Sequence, residues 1–91
     1  MIDVWWDMED DPDGNYQHVL EHGVTPDEVE EVLNDPMSST GVSRSTGSPI
    51  TFGWTSTDKY VAVVYDIVED NPRIVRPITA YPVPEPKSKG H

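Results

Sequence analysis

Cysteine is missing from all 91 residues, so the chain can form no disulfide and offers no thiolate to a metal. Lysine and arginine are missing from residues 1–43, which hold 12 of the 17 acids; all 6 bases come later, from Arg44 onward. The first half therefore carries −12 and the second +1, for a net charge of −11. Nucleic-acid binders draw most of their affinity from basic side chains on phosphate. The first half excludes such a footprint, and any polyanion is confined to the second. No apolar run approaches the roughly 20 residues a membrane-spanning helix needs. Met1–Asp7 carries acid where a signal peptide needs positive charge. The expectation is a soluble, cytoplasmic protein with no membrane contact. A phosphate-cradling glycine loop is also lacking, because Gly41, Gly47 and Gly53 are scattered, and no serine has a recognisable base and orienting acid.

The longest apolar run present is Lys59–Val68, β-branched and aromatic with one internal charge, Asp66. Both of its alternating residue sets are mostly apolar, which predicts a central strand covered on both sides or nearly so. Ser56–Asp58 and Glu69–Pro72 read as turns, placing neighbouring strands at Ile50–Thr55 and Arg73–Tyr81. Ile2–Trp6 reads as a first strand, with Ile2, Val4 and Trp6 on one side and Trp5 on the other. Asp11-Pro12 reads as a helix start, the helix running to about His22 and stopping at Gly23, with Tyr16, Val19 and Leu20 as its apolar stripe. Thr25-Pro-Asp-Glu28 is a capping-box sequence; Val29, Val32 and Leu33 fall on one face behind it, and Asn34-Asp-Pro36 ends the helix. Met37–Ser48 reads as a loop with a short irregular strand around Val42–Ser45. The prediction is one α+β domain over residues 1–81, with two short helices packed on one face of an antiparallel sheet in the order β-α-α-β-β-β. Residues 82–91, rich in proline and lysine, read as a flexible tail.

Asn15, His22-Gly23-Val24-Thr25, Val32, Asp35-Pro36, Gly53, Val61–Tyr65, Arg76 and Ile78-Thr-Ala80 come in the same order in BrnT-like proteins. The chain resembles that family from about Trp6 to Ala80. The resemblance implies a RelE-like fold and the toxin component of a type II toxin–antitoxin system, a metal-independent endoribonuclease held inactive by an antitoxin protein. Two departures are basic positions of the family: Glu21 stands where it has Lys, and Tyr81 where it has Arg. Such nucleases use basic groups to hold the scissile phosphate and stabilise developing charge. The resemblance therefore implies a degenerate active site, and it supports fold more strongly than chemistry.

Arg76, with Arg44 and Arg73, is the cluster best suited to RNA on the sheet half, because a guanidinium offers phosphate a bidentate fork. The plain alternative is that these arginines pair with the abundant acids. Tyr81 and His22 are the candidate proton-transfer partners. His18 and His22 stand one helical turn apart but lack the third ligand a metal site needs, so solvated histidines are the expectation. Glu9–Gly14 has acids at alternate positions like a calcium loop, but its closing position is Leu20. No cofactor and no metal is expected. Trp5, Trp6 and Trp54 read as core closers, with one of Trp5 and Trp6 turned outward. A second functional reading keeps the fold without catalysis: a binding module whose acidic helical face meets a basic protein partner.

Overall fold

The computed structural model describes residues 2–84. In chain order the elements are β1 (Asp3–Val4), α1 (Asn15–Glu21), α2 (Pro26–Asn34), β2 (Ser39–Val42), β3 (Pro49–Trp54), β4 (Tyr60–Asp70) and β5 (Arg73–Pro82). They form an α+β fold whose five strands lie in the order β1-β5-β4-β3-β2. The sheet is mixed rather than antiparallel, because β1 runs parallel to β5 while the other pairs are antiparallel. It also has one strand more than the order β-α-α-β-β-β, and the short irregular strand expected around Val42–Ser45 lies earlier, at Ser39–Val42. Ser39–Val42 is exposed at every residue and carries no alternation; pairing with β3, not its own pattern, makes it a strand.

Val19, Val29, Val32 and Leu33 from the helices bury themselves against Val61, Val63, Tyr65, Val75 and Ala80 of the sheet. Ile2, Val4 and Trp6 pack on the same cluster while Trp5 is 54% exposed, so the two tryptophans do face opposite ways. A fully buried valine is worth about 1.5–3 kcal/mol, and a core this rich in valine leaves little room for displacement. The opposite sheet face carries Ile50, Ala62 and Val64, with Phe52, Tyr81 and Val83 half-buried around them. The central strand is thus covered on both sides only as far as Tyr65. Beyond it β4 and β5 continue as a ribbon whose residues from Asp66 to Asp70 are exposed, Ile67 and Val68 included. Only Asn71 and Pro72, joined by a cis peptide bond, form the turn.

The first helix starts later than Asp11-Pro12 suggests. Asp11 O accepts from Gly14 N–H at 3.1 Å, and the Asp11 carboxylate accepts from Asp13 N–H at 3.0 Å. Asp, Pro and Gly at the first, second and fourth positions of a β-turn produce the same dipeptide signal as a helix start. Gly23, at φ +83°, ends α1 as predicted, while Leu20 of the expected stripe is 40% exposed. The capping box at Thr25 is present in both directions, 3.1 Å and 2.9 Å. Of the segment read as a tail, Pro82 closes β5 and Val83 N–H donates to Tyr60 O at 2.9 Å; residues 85–91 lie outside the described residues. No helix among the described residues is long and apolar enough to cross a membrane.

Candidate functional site

Where α1 meets β5, Asp13, Gly14, Asn15, His18, Arg76 and Ile78 line an open cleft of about 270 Å³. A β-bulge shapes its wall. Pairing runs from Val64↔Thr79 to Tyr65↔Pro77, so Ile78 is skipped, and Pro77, which has no N–H to offer the ladder, sits at the irregularity.

A polar clamp forms the cleft floor. The Asn15 side chain, 4% exposed, donates to Trp5 O at 3.0 Å and Pro77 O at 2.9 Å and accepts from Asp7 N–H at 2.8 Å. Asp7 Oδ2 in turn accepts from Asn15 N–H at 2.9 Å and from the Arg76 guanidinium at 2.9 Å. One carboxylate thus satisfies an orphan N–H at the start of α1 and neutralises the arginine. Glycine at position 14 makes the approach feasible, because a Cβ there would lie 2.7 Å from Asp7 Cβ.

The four candidate catalytic residues are not brought together. Arg76 alone lines the cleft. Arg44 is exposed in the β2–β3 loop, and β2 stands three strand spacings, about 14 Å, from β5. Tyr81 packs on the sheet face away from the helices. His22 caps the C-terminal end of α1 and reaches the cleft only through His18, whose ring it meets edge-on at 4.9 Å. Asp7, Asn15 and His18 complete the arrangement instead. Asn15 enters the sequence reading only through the family resemblance, His18 only as a solvated surface group, and Asp7 only as one acid of the Met1–Asp7 start.

Electrostatics decide what the cleft can hold. Of the four bases between residues 2 and 84, three are tied to carboxylates: Lys59 to Glu28 at 3.2 Å, Arg73 to Asp70 at 3.6 Å and Arg76 to Asp7 at 2.9 Å. Arg44 makes no such pair among the described residues. The one guanidinium that lines the cleft is already paired with Asp7, and the Asp13 carboxylate lines the same cleft, so its local charge disfavours phosphate. Among the described residues no three His, Cys, Asp or Glu side chains converge on a point suited to a metal ion. Trp6 Nε1 donates to Glu30 Oε2 at 2.8 Å and its ring meets Tyr16 edge-on at 5.8 Å, which makes Trp6 a core closer. Trp54 instead meets the Tyr60 ring at a tilt of 48° and 5.2 Å, and Phe52 stacks on the same tyrosine at 6.2 Å.

Fold and cleft define a small α+β domain with a shallow hollow between α1 and β5 and an acidic helical half. No family model, curated protein or solved structure matches the chain.

Proposed function

We propose that the chain is a toxin-type protein of BrnT-like, RelE-like build whose nuclease chemistry is degenerate. What it retains is binding: the acidic helical half meets a basic protein partner of the antitoxin kind. One observation carries this reading, the neutralisation of Arg76 by Asp7 in a cleft that also holds Asp13. Glu9, Asp10, Asp11, Asp13, Glu21 and Asp27 are all exposed on the helical half, with no base among residues 1–43 to offset them. Such a surface accelerates and selects cationic partners and repels RNA.

The test is incubation of the folded protein with messenger RNA and ribosomes, beside titration with a lysine-rich helical peptide at low and high salt. The expected result is intact RNA and peptide binding that weakens about tenfold between ~50 and ~300 mM NaCl as screening increases. Cleavage by the native chain that disappears in Arg76→Ala would overturn the reading.

A second reading, a residual metal-independent endoribonuclease, is favoured by the shared position of Arg76 and His18 in the cleft. There Arg76, with Arg44 more distant, holds phosphate, and the proton passes through His18 rather than His22 or Tyr81. That assignment requires Asp7 to release Arg76 when RNA enters.

A further inference from the structure

The free edge of β2 is a backbone docking site, and we propose that it takes an extended, lysine- or arginine-bearing segment of a protein partner as a sixth strand. The inference rests on the binding-module reading and adds to the acidic helical face a second surface for the same basic partner.

The phase of the β2–β3 ladder fixes which groups are on offer. Ser43 N–H donates to Ser48 O at 2.8 Å, while Ser43 O accepts from Gly47 N–H as the loop closes; the first bond gives the 43↔48 position the phase of a hydrogen-bonded pair. In an antiparallel ladder such pairs alternate with non-bonded ones. Counting along the register, Gly41↔Ile50 and Ser39↔Phe52 are bonded pairs, whereas Val42↔Pro49 and Thr40↔Thr51 are not. Proline at position 49 has no N–H to give, and the Thr40 and Thr51 hydroxyls meet at 3.2 Å, as the closer non-bonded pair allows. The N–H and C=O groups of Thr40 and Val42 therefore point away from the sheet. Among the described residues β2 pairs only with β3.

Natural edges are normally blunted by lysine, proline, a bulge or a covering element. Residues 37–43 contain neither charge nor proline, the β2–β3 register is unbroken, and Met37 and Val42 are 86% and 69% exposed. Gly41 adds a flat step beside Ile50, since a Cβ there would come no nearer than 3.9 Å. The opposite edge contrasts with it: β1 has two residues and carries Asp3.

Charge selects the occupant. A second copy brings another −11 to the contact, whereas a cationic segment is drawn in by the same field. Asp35, two residues before the exposed Met37, marks the end of the edge that a partner lysine approaches, and Arg44 marks the end it avoids.

Hydrogen exchange on the full chain tests this, with an alternating Val/Lys heptapeptide as probe and its Val/Glu counterpart as control. The lysine peptide is expected to slow exchange at the Thr40 and Val42 amides about tenfold, with little change on the helices. Val42→Pro, which removes an outward N–H and no ladder bond, abolishes that protection; Val42→Lys, which places a gatekeeping charge on the edge, serves if the proline variant does not fold. Protection confined to α1 and α2 overturns the edge assignment and leaves the binding-module reading standing. Protection at Thr40 and Val42 without peptide, rising with protein concentration, shows a second copy in the site and overturns the choice of occupant. Equal protection by the glutamate peptide does the same, and no response anywhere to the lysine peptide sinks both inferences.

Discussion

A single missing methyl at Gly14 sets how closely the loop after β1 approaches α1. Asp7 sits against that hydrogen and joins three otherwise separate pieces: the N-terminal segment, the first turn of α1 and Arg76 of β5. Gly14→Ala forces a 2.7 Å contact apart, displacing Asp7 from both partners. The expected loss is about 2 kcal/mol, from overpacking together with the broken clamp, read as a lower urea midpoint at unchanged m-value. Asn15→Ala reaches a similar loss by leaving the Trp5 and Pro77 carbonyls without their donor. Because both act on one network, the double variant should lose less than the sum; strict additivity would show that the clamp is not a unit. Little of this was legible in the sequence. A carboxylate that caps a helix beginning eight residues later leaves no local pattern.

Elements were legible where one local rule outweighed tertiary context. Thr25–Glu28 specifies the start of α2 unaided, and the β-branched run specifies β4. The start of α1 was obscured because a β-turn and a helix N-terminus favour the same Asp-Pro pair, and β2 because an edge strand owes its conformation to its neighbour. The capping box also does something that no sequence rule reveals. Glu28 Oε2 accepts from the Thr57 hydroxyl and Oε1 from Lys59 Nζ, while Lys59 also donates to Gly23 O at 2.9 Å. One buried carboxylate therefore fastens the start of α2 to the β3–β4 turn, where Asp58 takes the left-handed conformation at φ 69°. Burial pushes the Glu28 carboxyl up, but the bonds from Thr57, Thr25 N–H and Lys59, with the Lys59 charge, outweigh it and hold the group below its ordinary 4.5. A depressed folded-state value means the linked stability is fully present above about 4.5 and is lost as pH falls through the folded value. Glu28→Gln should thus be less stable at pH 7 and lose less than the native chain on acidification below 4.5. Parallel curves of urea midpoint against pH for the two proteins would remove Glu28 from the acid response.

Across the whole molecule, the fold class and the acidic imbalance were legible, because composition and strong periodicities survive in three dimensions. The site was not, because convergence of Asp7, Asn15, His18 and Arg76 depends on β1 returning beside β5, a parallel pairing that nothing in Ile2–Trp6 announces. The same convergence leaves the surface dominated by one sign of charge. The net charge is −11 and the radius of gyration 12.7 Å, comparable to the Debye length of about 10 Å at 0.1 M salt. Acids on opposite sides of the domain therefore repel one another at low ionic strength and are screened at moderate salt. Against this stand three ion pairs among the described residues, two of them with both partners at least a quarter exposed, and such pairs contribute about 0–1 kcal/mol each. Self-repulsion outweighs them, so salt should stabilise the protein. Raising NaCl from ~10 mM to ~0.5 M is expected to lift Tm by roughly 5 °C, about 1 kcal/mol for a domain of this size. A Tm that falls over that range would mean the Glu28–Lys59 and Asp7–Arg76 links dominate. The molecule would then be held together by its few cations rather than strained by its many acids.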